Sequence, residues 1–440
     1  MRRRHPIEPT DQRPPVHPGQ AVFDAETRYK MIRAFRDALE TLLDVWFPRV
    51  IDHEHGGFLC DFDYRWRPTG PHRKMLEFQA RQTRLAAVAA EFFPDRADLR
   101  AAAEHGFAYL RDAMWDREFG GFYRLLDRAG KPLEEGSKHG HGTAYSISAC
   151  VAQHRLTGSG ESLELARRAF DWLEQHAHDH LHGGYFGYHL RDGRLILERK
   201  NSLREYPSRD PIGTPLGMKD VNTTKDLMET LGQLASVWPD ALVLERLGEM
   251  LRIIRERVVV PPGSCHMYFN PDWRPIPDLA HYGHNVHLAA LLPTAAAPLG
   301  VEEQEKAEAT ARALLDCALE YAWDPSTGGF AYAGSTFGRI YLEDQVWYVD
   351  TKYWWPQAEA LVCLVYFAGK EGTGVYPDRA LTLWRYIQEN LVDARYGGWF
   401  KMGRDTGKKA RKLPKADVWR DGSHEGMALM KCIRILEAGD

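Results

Sequence analysis

The chain has 440 residues, 44% of them hydrophobic and 27% charged, the composition of an ordinary soluble globular protein. A formal charge of −4 gives no electrostatic basis for a nucleic-acid or membrane-surface partner, and no apolar run is long enough to span a bilayer. The six cysteines are scattered without a CxxC, which fits a reduced, cytoplasmic protein.

The first 24 residues are basic and Pro-rich with no apolar segment after the arginines, so they read as a loose tail and not a signal peptide. A single domain is expected over 25–440. It opens on the amphipathic "YKMIRAFRDALETLLDVW" (29–46), and a turn phrase follows, "DHEHGGFLC" at Asp52. That phrase returns as "DREFGGFY", "DHLHGGYFGY", "DPSTGGFAY" and "DARYGGWF". The Gly-Gly pairs start at 56, 120, 183, 328 and 397, so the intervals are 64, 63, 145 and 69. The doubled interval points to a sixth copy without its glycines, expected at "SCHMYFNPDWRP" (264–275).

Each unit carries an amphipathic helix, the turn, a longer loop and then a more apolar helix. The apolar set runs "ARQTRLAAVAAEFF", "GTAYSISACVAQHRL", "DLMETLGQLASVW", "HNVHLAALLPTAAA", "PQAEALVCLVYFAG" and "HEGMALMKCIRIL". A helix apolar nearly all round must be buried. Twelve alternating helices predict an all-α fold, an (α/α)6 barrel with six inner and six outer helices and short Gly-Gly hairpin loops on one face. The last helix is as apolar as the middle ones, which favours a closed ring over an open solenoid.

In a closed ring the starts of the inner helices share one cavity. Those starts carry Arg81; Lys138, His139, His141 and Tyr145; Lys219, Asn222 and Asp226; His281, His284 and His287; Trp354, Trp355, Gln357 and Glu359; and Trp419, Arg420, His424 and Glu425. Any one of these reads as a capping residue; six coincident sets predict a polar, aromatic-lined site. The 13 Trp suit a ligand with flat apolar faces and polar rims, such as a sugar.

With "QAR" (79–81), "KDVNT" (219–223), "YGH" (282–284), "WWPQAEAL" (354–361) and the Trp419…His424 spacing, the chain resembles the N-acylglucosamine 2-epimerase superfamily, which includes cellobiose 2-epimerases and aldose–ketose isomerases. The resemblance covers nearly everything after residue 25. It implies a sugar 2-epimerase or aldose–ketose isomerase that uses neither metal nor redox cofactor. Its partner is a mono- or disaccharide, and a homodimer is allowed. His284 and His424 match the catalytic histidines, which move a proton at C2 of the open-chain sugar through an enediolate; imidazole titrates near operating pH. Arg81 matches a residue near the substrate oxygens, and Trp355 and Trp419 would stack on sugar rings. His141, Asn222, Asp226, His287 and Glu359 complete the expected substrate-binding set.

Two departures look reciprocal. His287 stands where the family has Glu, and Asp226 where it has a second His, so a hydrogen-bonded Asp226–His287 pair is expected. Glu425 and Met427 replace the Asn and Arg that often follow the last His. The phrase "HYGHNVH" also raises a metal reading. On a helix His281 and His287 lie about 120° apart, so all three cannot face one ion. The basic "RDTGKKARKLPK" (404–415) reads as a solvated hairpin or an anion-recognising rim, and Leu195–Gly217 as a lid. The rival functions are a hydrolase or lyase using two of Asp226, Glu359 and Glu425, and a non-catalytic sugar-binding relative.

Overall fold

The computed structural model describes residues 23–197, 208–276, 279–335, 341–342, 345–346, 348–371, 374–407 and 409–438. The expected tail lies almost wholly outside them, as does the middle of the expected lid. Twelve α-helices follow in order: α1 (Ala25–Arg49), α2 (Leu76–Phe92), α3 (Ala97–Tyr109), α4 (Gly140–Thr157), α5 (Gly160–His176), α6 (Val221–Ala235), α7 (Ala241–Ile253), α8 (Tyr282–Ala296), α9 (Val301–Tyr321), α10 (Trp354–Glu371), α11 (Val375–Tyr386) and α12 (Ser423–Glu437).

The odd helices are amphipathic and lie outside. In α1 the buried stripe Met31, Phe35, Leu39, Leu42, Leu43 and Trp46 follows the three- and four-residue spacing of one helix face. Phe35 and Leu39 are fully buried, and each contributes about 1.5–3 kcal/mol of apolar burial. The even helices are buried almost all round; α4 buries every residue from Gly140 to Gln153. They pack in a cycle, α2–α4–α6–α8–α10–α12 and back to α2, which is the (α/α)6 barrel and excludes an open solenoid. Packing between α6 and α8 is tight: a Cβ at Gly232 would lie 2.7 Å from the carbonyl oxygen of Ala295.

A second cycle runs through the loops. The segment just before each inner helix pairs antiparallel with the next unit's loop. Lys74–Met75 pairs with Leu125–Leu126, Lys138–His139 with Tyr188–His189, and Lys219–Asp220 with Tyr268–Phe269. Bridges Ala280–Gly334, Tyr353–Met402 and Ala416–Phe62 continue it, and the last joins the end of the chain to its beginning. This stitching fixes the starts of the inner helices on one face.

A buried lysine holds each Asp–Gly–Gly turn. Lys74, Lys138, Lys219, Lys352 and Lys415 pair with Asp52, Asp116, Asp179, Asp324 and Asp393 at 2.8, 3.3, 2.7, 2.7 and 2.7 Å. Each lysine except Lys415 also donates to a glycine carbonyl of its turn. The turn itself needs backbone with φ near +73°, as at Gly183 and Gly184, which glycine adopts without a Cβ penalty.

The degenerate fourth copy sits at Val259–Val260 paired with Ser264–Cys265, slightly ahead of the expected 264–275. It has lost both the Gly-Gly and the lysine. Asn285 anchors the turn: its Oδ1 accepts from the Cys265 N–H at 3.1 Å and its Nδ2 donates to the Gly263 carbonyl at 3.2 Å. Gln79 and Gln357 make the same two-way bond to the backbone of Phe58 and Phe330.

All six cysteines are buried and unpaired. No described helix is long and apolar enough to cross a membrane.

Candidate active site

At the starts of the inner helices lies a cavity of about 320 Å³. Arg81 from α2, His141 and Tyr145 from α4, Asn222 and Lys225 from α6, His284 and His287 from α8, Trp354 and Trp355 from α10, and His424 from α12 line it, with Trp419, Tyr332, Pro211 and Ile212 from loops. Eight of the ten predicted site residues therefore border one space, although the outermost are 343 positions apart (424 − 81).

Trp355 organises the imidazoles. Its ring centroid lies 5.2 Å from that of His284, 5.9 Å from His287 and 5.8 Å from His424. His424 is oriented by Glu359, whose Oε1 lies 2.7 Å from Nδ1. The carboxylate makes Nδ1 the donor and leaves Nε2 for the cavity. His284 has no such tie among the described residues, where its buried Nδ1 finds no hydrogen-bond partner. Burial, then the charge of Lys225, holds both His284 and His287 well below the usual imidazole range. A histidine kept neutral in this way is a base, not a cation.

His141 differs. Its Nδ1 is 3.2 Å from Glu77 and its Nε2 3.0 Å from Asp226. Burial alone would lower it, but the two carboxylates outweigh burial and raise it above the ordinary value. With both nitrogens used as donors it is an imidazolium, and it braces the wall without acting as a base. Glu77 is held down to about 2: burial opposes ionisation, and the His141 hydrogen bond overcomes it.

The two remaining predicted residues stand behind the lining. Asp226 accepts from the Tyr145 hydroxyl at 3.1 Å, the Lys225 ammonium at 2.7 Å and His141 at 3.0 Å. Despite burial, these cations keep its carboxyl well below the usual range. Glu359 borders only a narrow deep extension shared with Arg81, His287 and His424. The expected Asp226–His287 hydrogen bond is not formed. Asp226 turns toward α4, whereas His287 turns toward α10 and α12, where its Nε2 is 3.8 Å from Glu359.

Other polar residues at the helix starts are structural. Lys138 and Lys219 hold turns. His139 Nε2 is 2.9 Å from Asp210, which anchors the loop that brings Pro211 and Ile212 to the cavity. Arg420 stacks over Trp354 at 4.2 Å and donates to Glu425 at 2.6 Å. Glu425 is fully buried, and burial raises its carboxyl despite Arg420.

Sequence reasoning missed Lys225 and Tyr332. Lys225 follows Asn222 by three residues, the spacing of one helix face. His281 caps the start of α8, as expected for a residue outside the helix.

A second cavity of about 400 Å³ opens at the other ends of the inner helices. Its walls are largely apolar, with Val88, Val151, Ala290 and Pro293, and it contains no histidine. The ion pair of Arg84 with Glu229, 2.7 and 3.1 Å, borders both it and the narrow extension of the first cavity.

A sequence profile of the family described as N-acylglucosamine 2-epimerase (GlcNAc 2-epimerase) matches residues 56–186 and 227–419. A cellobiose 2-epimerase of Bacteroides fragilis is 27% identical over 406 residues, 90% of this chain and 95% of that one. A D-mannose isomerase of Marinomonas mediterranea is 24% identical, over 87% of this chain and 90% of its own. The solved structure of a cellobiose 2-epimerase from Spirochaeta thermophila superposes with a TM-score of 0.80 at 24% identity, covering 94% of this chain and 99% of that one.

Proposed function

The chain belongs to the N-acylglucosamine 2-epimerase family, and on that premise we propose that it is a sugar 2-epimerase or aldose–ketose isomerase working by proton transfer between two histidines. The observation that carries this reading is the pair of imidazoles, His284 and His424, flanking Trp355 on one cavity. His284, neutral and without a tie at Nδ1, takes the proton from C2 of the open-chain sugar. The C2–H electrons form a C1–C2 double bond, and charge moves to O1, giving an enediolate. His424, held by Glu359, returns a proton to the opposite face of C2 and yields the epimer. Delivery to C1 instead yields the ketose. Arg81 borders the cavity close to Asp421, at 3.5 Å, and stacks on Tyr145 at 4.1 Å, a fixed cation for the substrate oxygens. Trp355 and Trp419 offer apolar faces to the sugar carbons. A cavity of about 320 Å³ suits a monosaccharide or the reducing end of a disaccharide. The six unpaired cysteines fit a reducing compartment, so the cytoplasm is the proposed location.

The hydrolase alternative needs two carboxylates facing the sugar across about 6.5–9.5 Å. Asp226 is saturated by three donors, Glu425 is buried under Arg420, and Glu359 stands behind the lining, engaged by His424.

Incubating the protein in D2O with a panel of reducing aldoses and β-1,4-disaccharides, followed by NMR, tests the reading. The expected result is deuterium at C2 of substrate and epimer, or at C1 of a ketose. Glycosidic cleavage without such label would defeat it.

His287, Glu359 and His424 place one ligand atom each within 4.8 Å of one another, a set able to hold a divalent metal. The proposal instead gives His424 acid–base work with Glu359 orienting it, since Glu359 bonds His424 directly. Turnover is expected to survive exhaustive dialysis against a chelator. A loss restored by one divalent ion would instead make this cluster a metal site.

A further inference from the structure

Lys225 is a charged cavity residue to which the mechanism above gives no role. It is 98% buried (2% exposed) on α6, one residue before Asp226 and three after Asn222. Its ammonium donates to Asp226 Oδ1 at 2.7 Å and, among the described residues, to no other acceptor. An ammonium carries three N–H donors. Two are left, and the side chain borders the same cavity as Asn222 and His284. The other cation on that wall, Arg81, is held by Asp421 and the Tyr145 ring.

We propose that Lys225 is a further catalytic residue, whose free N–H groups bind O1 and O2 of the open-chain sugar and stabilise the enediolate. The inference rests on the epimerase reading above. As the C2–H bond breaks, the proton goes to His284 and the electron pair to the new C1–C2 double bond. The former carbonyl pair becomes an oxyanion on O1, and Lys225 hydrogen-bonds it without giving up a proton. A donor fixed in a dry site costs no reorganisation when that charge appears. The same cation acts a second way. The charged groups facing His284 and His287 are Lys225 and Asp226 on α6, His141 on α4, His281 at the start of α8, Glu359 on α10 and His424 on α12. After burial, Lys225 does most to keep both imidazoles unprotonated, and so available as bases.

Steady-state kinetics and C2 deuterium exchange on Lys225→Met, Lys225→Arg and the double variant Lys225→Met with Asp226→Asn test this. The expected loss in kcat for Lys225→Met is about 10²- to 10³-fold, with a much smaller change in KM. The acid limb of its kcat/KM profile should move to higher pH, because the base becomes easier to protonate. Lys225→Arg should restore part of the rate. The double variant leaves no buried carboxylate uncompensated, so it guards against misfolding, and it should stay as slow as Lys225→Met. A double variant that regains wild-type kcat, or a Lys225→Met within about threefold of wild type, overturns the proposal and reduces Lys225 to the counterion of Asp226. Wild-type protein that exchanges no sugar proton overturns the epimerase reading itself, and this inference with it.

Discussion

Replacing His284 with Ala is expected to lower kcat by about 10²- to 10⁴-fold, the range that one general base supplies, while leaving the fold intact. The side chain is only 6% exposed, but its Nδ1 makes no hydrogen bond among the described residues, so truncation orphans no partner there. His424 is different. Removing its ring leaves the Glu359 carboxylate without its 2.7 Å partner, so His424→Asn is the safer probe. The two variants should also differ in kind. With His424→Asn, the His284 imidazole can still take the C2 proton and give back deuterium from the same face. C2 exchange in recovered substrate should then outlast formation of epimer. With His284→Ala, exchange and product should vanish together for that substrate. NMR in D2O reads both quantities in one sample. Wild-type turnover in both variants would remove these histidines from the chemistry and favour a different pair on the same cavity.

The ring was legible because it is written as a repeat. Gly-Gly pairs at regular spacing and alternating apolar helices are one-dimensional signals, and closure needs only that the last apolar helix find the first. Convergence of residues as distant as Arg81 and His424 follows from phase within the repeat. What the repeat does not encode is azimuth. Asp226 and His287 sit at matching turns of adjacent inner helices, yet one faces α4 and the other faces α10 and α12. A step of one residue rotates a side chain by about 100°, so a matching position does not make a contact. For the same reason the sequence does not single out Lys225, one residue before Asp226, although both side chains are buried. The lysine anchors were hidden differently. Lys74 lies 22 residues from Asp52, and Lys219 lies 40 from Asp179. Three of the five intervals are 22 residues, but 40 at Lys219 and 28 at Lys352 break the regularity. Lys138 and Lys219 consequently passed for residues of the cavity, because they share its helix starts.

Those anchors predict the largest stability effect. Lys219→Met should destabilise the protein by about 3–5 kcal/mol, the cost of leaving one member of a buried ion pair alone. Lys219 is 1% exposed and donates to Asp179, the Gly183 carbonyl and the Pro271 carbonyl, each at 2.7 Å. Unlike Asp52, which also has Arg128 at 3.0 Å, Asp179 has no second cation among the described ion pairs, so nothing compensates. Urea unfolding measures the loss. Adding Asp179→Asn should recover part of it, because the orphaned charge goes while the cap on the Leu181 and His182 amides can persist. The folded fraction should keep a kcat near wild type, since Lys219 points into the turn and does not border the cavity. The fourth unit explains why the penalty attaches to removing one partner alone. There the Gly-Gly pair and the lysine are both gone, and the neutral Asn285, the counterpart of Gln79 and Gln357, still ties the turn. A unit can shed the whole ionic device and keep its place in the ring, but half of it leaves a buried carboxylate with neither water nor a cation. An unchanged urea midpoint for Lys219→Met would show that Asp179 reaches solvent when the lysine is removed.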